Sequence, residues 1–132
     1  MQDDPAPVEL IGAAADFLRN EIMPQLSGHS AFKLRVTINA LDLVTRQLTL
    51  EPASDAAEAA RLTKLLDRDG PLADLNRALA EGIAKGGFDL EAPGVRDHLW
   101  QTTLDKLAID QPNYGSYRRE MERRSVTQKP SS

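Results

Sequence analysis

The chain offers few residues that could bind a metal or act as a general base, since it has two histidines and no cysteine. His29 and His98 each stand without an acidic residue three positions earlier and without a second histidine nearby. Metal sites need several such ligands at defined spacing, and we therefore predict none. We expect His29 at the start of a helix and His98, beside Asp97, at a surface or half-buried helical position.

Two short segments share some residues with ligand-binding loops but lack others that the chemistry requires. Residues 67–70, Asp-Arg-Asp-Gly, would suit the start of a calcium loop, but Ala78 stands where that loop needs a bidentate glutamate. The glycines around Lys85 do not match the GxxxxGK[ST] spacing of a phosphate-binding loop. We interpret both segments as helix ends. Since no serine lies in a GxSxG motif either, we predict no catalytic or cofactor-binding residue.

Asn39 is a candidate contact residue because it shares a helical row with apolar side chains. The members of this row are Phe32, Val36, Asn39 and Leu43. A buried amide must be hydrogen-bonded, and such residues often fix the packing register of neighbouring helices. We favour this structural role for Asn39. A role in a ligand or partner site is the alternative.

Arg35 and Arg46 lie on a narrow polar edge of the same predicted helix, with Asp42 between them. Arginine binds both carboxylates and phosphates through its planar, forked set of donors. We favour ion pairs with acidic residues of a neighbouring helix. The alternative is a contact with an anionic group such as a phosphate.

The segment after Pro112 combines Tyr114 and Tyr117 with four arginines and two glutamates. Such a segment could stack on bases and bind phosphates. We favour a solvated helical turn that docks both tyrosines, followed by a disordered end over residues 125–132. Lysine and arginine outnumber acidic residues by 5 to 2 in residues 111–132, whereas residues 1–110 hold 11 against 18. This acidic body argues against a nucleic-acid or membrane partner.

Helical periodicity accounts for the first apolar segment. Two neighbouring rows can be drawn, one of Val8, Ile11, Ala15, Leu18 and Ile22 and a second of Leu10, Ala14 and Phe17. So wide an apolar face predicts an amphipathic helix. Pro24 should end or kink it.

Residues 32–50 begin with an alternation of apolar and polar side chains that a half-buried strand would also show. Helical rows, however, extend over the whole segment. Beside the row of Asn39, the second row contains Leu34, Ile38, Leu41 and Leu48. No other segment alternates in this way, so a lone strand would have no partner. We predict a central helix that is packed on two sides and closed by Pro52.

Prolines and glycines bound three further predicted helices. Ser54 or Asp55 caps the third helix, Pro71 opens the fourth before Gly86 and Gly87 end it, and Pro93 opens the fifth, which Gln111-Pro112 ends. We therefore predict an all-α fold, a single compact bundle of about five helices. Its domain covers residues 1–117, and a charged, partly disordered basic tail covers residues 118–132.

The sequence favours a cytoplasmic protein. Its first residues lack the positive region and apolar run of a signal peptide, and no stretch approaches the roughly 18 apolar residues of a membrane span. A homodimer is also left open, because the wide apolar faces of the first two helices can exceed what one short bundle buries.

Two segments resemble a family of small bacterial helical proteins that carry a domain of unknown function. Residues 32–46 match the family skeleton at Arg35, Val36, Asn39, Leu41, Val44 and Arg46. Residues 106–117 match it at Lys106, Leu107, Pro112, Tyr114 and Tyr117. The likeness spans residues 5–117. The candidate partner or ligand contacts are therefore Arg35, Asn39, Arg46, Lys106, Tyr114 and Tyr117.

The resemblance implies partners as well as a fold. Genes of this family lie beside an aminoglycoside-phosphotransferase-like kinase and an acyl-CoA dehydrogenase. The implied function is a non-catalytic accessory subunit that binds and enables the kinase in hydroxyacyl-CoA catabolism, with the dehydrogenase as a second candidate partner. The alternative is a helical bundle that holds an acyl or acyl-CoA ligand, with Arg35 or Arg46 at its phosphate end. No cofactor is expected, and the family offers no catalytic residue to transfer.

Overall fold

The computed structural model describes residues 4–129, and every regular element in them is helical. This confirms the predicted all-α class. The elements are α1 (Pro7–Phe17), a π-helical turn (Leu18–Ile22), a 3-10 turn (Met23–Gln25), α2 (Gly28–Leu66), α3 (Leu72–Ala84), α4 (Val95–Asp110) and α5 (Gly115–Thr127). The chain divides into two compact units, Met1–Glu51 and Pro52–Ser132.

In the first unit, α1 begins with Pro7, at a position where a missing N–H costs little. Glu9 in the first turn accepts a hydrogen bond from the backbone N–H of Ala6 at 3.2 Å and places negative charge at the positive end of the helix. The helix then widens into the π-helical turn and ends in the 3-10 turn that contains Pro24, as predicted.

The helix α2 contradicts the predicted break at Pro52, because it runs without interruption from Gly28 to Leu66. Proline removes one backbone hydrogen bond and crowds the carbonyl four residues earlier, but its fixed φ is compatible with a helix. Alanines and leucines on both sides favour helix strongly enough to continue it. The capping role predicted for Ser54 or Asp55 is therefore wrong. The boundary between the two units lies at this proline.

In each helix of the first unit, one apolar row is mostly buried or half-buried and the other is mostly exposed. Ala15 on α1 and Ile38 on α2 are fully buried, and their row neighbours are half-buried or, for Leu48, 46% exposed. Nη2 of Arg19 in the π-helical turn donates to both carboxylate oxygens of Asp42 on α2, at 2.8 and 2.7 Å. This charge-assisted pair connects the end of the α1 segment to α2.

The second unit has a leucine core. Leu62 from α2 packs with Leu75 and Leu79 from α3, and the half-buried side chains around them are Leu66, Leu72 and Phe88. The helix α4 adds the buried side chains of Val95, His98 and Leu104.

The helix α5 contacts α4. It also continues into the segment after residue 124 that we predicted to be disordered. Arg124 donates to the side-chain oxygen of Gln101 on α4 at 3.0 Å. Both Arg123 and Arg124 donate to Glu120, and these hydrogen bonds lower the pKa of its carboxyl to about 2. Residues 125–127, which we predicted to be disordered, are helical. Residues 130–132 of that predicted segment lie outside the described residues, and the domain boundary after residue 117 stays a prediction.

Two helical glycines differ in the space around them and give a matched test of the packing. A methyl group at Gly82 would lie 2.5 Å from Cδ2 of Phe88, whereas one at Gly12 would meet nothing within 4 Å. We expect Gly82→Ala to lower the free energy of unfolding by about 1–3 kcal/mol, because Phe88 must move away from the core. Gly12→Ala should raise it by about 0.5–1 kcal/mol. Urea denaturation followed by circular dichroism measures both, and equal stabilisation by the two changes would contradict this packing.

Candidate functional site

A cavity of about 770 Å³ lies within the second unit. Its apolar wall consists of Leu65 from α2 together with Phe88, Ala92 and Pro93 from the loop before α4. Its polar lining consists of the side chains of Arg61, Lys64, Asp97, His98 and Gln101. The volume falls in the range of small-molecule sites, which are mostly apolar with a few placed polar groups.

Helical spacing and one turn position this lining. Arg61 and Lys64 are three residues apart on α2, so they lie on the same face. In the loop before α4, Asp89 accepts hydrogen bonds from the backbone N–H groups of Glu91 and Ala92, both at 2.9 Å. Such an Asx turn fixes a loop without regular structure. Gly94, with φ of 82°, then turns the chain into α4, in a conformation that favours glycine.

The side chain of His98 is 2% exposed and accepts a hydrogen bond at Nδ1 from Nε of Arg61, at 3.2 Å. Because an arginine can only donate, Nδ1 must carry the lone pair and the imidazole proton must be on Nε2. Burial lowers the pKa of His98, and the positive charge of Arg61 lowers it further against a smaller opposing effect of Glu58. His98 is therefore held neutral.

Arg61 is fixed by α4 through several contacts. Besides His98, it donates from Nη2 to Oγ1 of Thr102 at 3.3 Å and lies 3.8 Å from a carboxylate oxygen of Asp105. Within residues 4–129, Nη1 has no hydrogen-bond or ion-pair partner, and the side chain lines the cavity. Its neighbour Lys64 is exposed and has no carboxylate of residues 4–129 within ion-pair distance.

The residues proposed from sequence lie elsewhere, and none of them lines this cavity. Arg35, Asn39 and Arg46 are on α2 in the first unit, whereas Lys106, Tyr114 and Tyr117 are on or beside α4 and α5 in the second. The six residues are therefore divided between the two units and do not form a single site within one unit.

Asn39 is exposed, so the prediction of a buried, packing amide is wrong. Ile38, one position earlier, is the fully buried residue of that turn. The Asn39 row faces solvent: Phe32 is 58% exposed and Val36 is 53% exposed. The predicted packing of this helix on two sides is wrong for the same reason. Apolar periodicity marks faces that can be buried, but it does not say whether the chain itself covers them.

The ion pair predicted for Arg35 is not formed. Arg35 is exposed and has no hydrogen bond or ion pair within the described part of the chain. Arg46 is half-buried, and its predicted pair with an acidic residue of a neighbouring helix stays a prediction. Asp42, which lies between the two arginines in sequence, pairs with Arg19.

The second motif is only partly accessible. Lys106 is exposed and Tyr114 is 51% exposed, whereas Tyr117 on α5 is half-buried. Tyr114 immediately precedes α5, and its carbonyl accepts the first helical hydrogen bond, from Arg118 at 3.0 Å.

Sequence reasoning missed Arg61, Lys64 and the burial of His98, which we predicted at a surface or half-buried position. The spacing of Val95 and His98, three residues apart, places them on one face of α4 and could have indicated a buried histidine. The shared face of Arg61 and Lys64 could likewise have been noticed. The cavity itself depends on the path of the loop over residues 86–94, which no periodicity encodes.

The two histidines give a matched test of the buried imidazole. The folded chain holds the pKa of His98 below its ordinary 6.5, so the unfolded chain takes up a proton first as the pH falls through that value. We therefore expect the free energy of unfolding to decrease between about pH 7.5 and about pH 5.5. Urea denaturation at both pH values measures it. His98→Gln should reduce this dependence, whereas His29→Gln, at an exposed position, should preserve it; the reverse pattern would refute a buried neutral His98.

Within residues 4–129, no three histidine, cysteine or acidic side chains are grouped so that they could hold a metal ion. None of the helices described is both long and apolar enough to cross a membrane.

Comparison with known proteins gives one family and no individual relative. No curated protein and no solved structure matches the chain. A family model described as a domain of unknown function, DUF6285, matches residues 24–114. This match includes all of α2, α3 and α4, and the cavity. It spans well over half of the chain, and the protein therefore belongs to the DUF6285 family.

Proposed function

We propose that this protein is a non-catalytic accessory subunit that binds a partner protein through the exposed row of α2, formed by the exposed Phe32, Val36 and Asn39 with the half-buried Leu43 at its end. The observation that carries the proposal is the exposure of Phe32 and Val36, each of which is more than half accessible. Each such side chain that stays in water lacks on the order of 1 kcal/mol of favourable free energy that burial would give. Contiguous apolar surface of this kind marks an interaction site more often than a free surface.

The spacing of the row indicates what would fit it. Its members are four, three and four residues apart, which is the spacing of a coiled-coil seam. A single amphipathic helix of a partner can pack along such a seam. Asn39 at the centre favours a polar residue opposite it, and the exposed Arg35 beside the row favours an acidic one.

The first unit has further apolar surface on α1. Leu10 and Phe17, from the second row of that helix, are also more than half exposed. They extend the apolar area available to a partner. Exposed Lys106 and Tyr114 in the second unit are proposed as additional contacts on the strength of the family resemblance alone.

For the partner we propose the phosphotransferase-like kinase that the resemblance implies, with the acyl-CoA dehydrogenase as the second candidate. The other hypothesis from sequence placed an acyl-CoA phosphate at Arg35 or Arg46. Neither arginine lines the cavity, so that version of the ligand-binding hypothesis loses its support.

The test is co-expression with the kinase-like protein and measurement of the affinity of the purified pair. We expect Val36→Glu to weaken binding at least about tenfold, because a glutamate in an apolar interface is buried without a partner. The matched control is Thr37→Glu, which adds the same charge at the next position of the same helix, where the side chain is exposed away from the row. Circular dichroism verifies that both variants keep the helical fold.

Absence of a complex, or equal binding by the two variants, would contradict the proposal. The native mass of the isolated protein separates a second explanation. If the protein alone is a dimer that Val36→Glu splits into monomers, a second copy covers the row and the accessory role fails.

A further inference from the structure

We propose that the cavity in the second unit binds a small molecule with an apolar body and a carboxylate head. This inference is independent of the proposed function, because none of its residues belongs to the exposed row of α2. The body would lie against the apolar wall formed by Leu65, Phe88, Ala92 and Pro93, and the head would meet the nitrogen atoms of Arg61, Lys64 and His98.

His98 gives the strongest indication of a ligand. Its Nδ1 is occupied by Arg61, which leaves the proton on Nε2 as a donor. Nε2 donates to no residue of the described chain. Every side-chain nitrogen or oxygen atom of the described residues that is fully shielded from solvent, however, has a hydrogen-bond partner. Nε2 must therefore keep some accessible surface. Since His98 is almost completely buried and lines the cavity, that surface opens into the cavity.

Arg61, Lys64 and His98 can only donate toward the cavity. Arginine and lysine have no acceptor, and the one acceptor of His98 is already used. A ligand head that fits these three side chains must accept several hydrogen bonds, which disfavours a hydroxyl. An amine would find one carboxylate in the lining, that of the exposed Asp97. A carboxylate accepts such bonds in the charge-assisted form that is shortest and strongest.

The charge of the lining favours a monoanion. Arg61 and Lys64 are positive, Asp97 is negative and His98 is neutral, so the lining residues carry one net positive charge. Asp105, outside the lining, already lies 3.8 Å from Arg61, whereas Lys64 has no carboxylate of residues 4–129 within ion-pair distance. Asp97 is exposed, whereas Arg61 is held beside His98 and Thr102. Arg61 is thus oriented before a ligand arrives, which reduces the entropy cost of binding.

The probe is octanoate, titrated into the purified full-length protein and followed by calorimetry and by NMR of residues around the cavity. Octanol and octylamine share its chain, so they isolate the effect of the head. We expect octanoate to bind, octanol to bind at least about tenfold more weakly, and octylamine to give no saturable binding. Octyl phosphate, with a second negative charge, should not exceed octanoate.

Two variants test the donors. Lys64→Gln should weaken octanoate binding about tenfold, and Lys85→Gln, at an exposed lysine that does not line the cavity, should leave it unchanged. His98→Asn keeps a short side-chain oxygen that can accept from Arg61 but removes the Nε2 donor. We expect it to weaken octanoate binding about tenfold and to change octanol binding little, provided that circular dichroism shows a folded chain.

The proposal fails if octanoate does not bind, if octanol binds equally well, or if Lys64→Gln has no more effect than Lys85→Gln. Tighter binding of octyl phosphate would overturn the carboxylate assignment. Failure of these titrations leaves the kinase-binding test unaffected, because that test depends on Val36 alone.

Discussion

Apolar side chains in the first unit are incompletely buried: each of its helices has one row that is mostly buried or half-buried and a second row that is mostly exposed. Complete burial is reached only at Ala15 and Ile38 among the described residues of this unit. Burial of apolar area is the main favourable contribution to folding. A unit that leaves Phe17, Phe32 and Val36 in water therefore gains less stability than its composition allows, and it can gain the remainder by binding another apolar surface.

The second unit solves the same problem differently. Leu62, Leu75 and Leu79 pack against one another and form a buried leucine core. The loop over residues 86–94 then covers only part of the adjoining face, and the cavity remains beside Arg61 and His98. A buried histidine that accepts from an arginine is expensive to desolvate, and the Nε2 of His98 has no partner among the described residues.

Local periodicity and turn chemistry explain why much of the fold could be predicted. The helices α1, α3 and α4 follow from leucine, isoleucine and valine spacing between prolines and glycines, and these local preferences agree with the packing that the chain adopts. Pro52 misled the prediction because a helix former on each side outweighs one missing hydrogen bond. The end of the chain misled it too, since Arg123 and Arg124 form ion pairs with Glu120 that support α5.

The candidate sites were less predictable because they depend on which elements of the tertiary structure pack over each helix face. Whether Asn39 is buried depends on whether another helix lies over its row, and the spacing of the row is the same in both cases. The environment of His98 is set by Arg61, which is 37 residues earlier in the chain. Both features arise from contacts that are distant in sequence, where a single sequence carries little information.

Hydrogen–deuterium exchange of the isolated protein and of its mixture with the kinase-like protein tests the central claim most directly, because it reports which backbone amides the partner protects without altering any residue. A partner helix along the exposed row should slow exchange over residues 32–43 and leave α3 unchanged. Unchanged exchange over residues 32–43 in a mixture that forms a complex would contradict the account, because the partner would then bind elsewhere on the molecule.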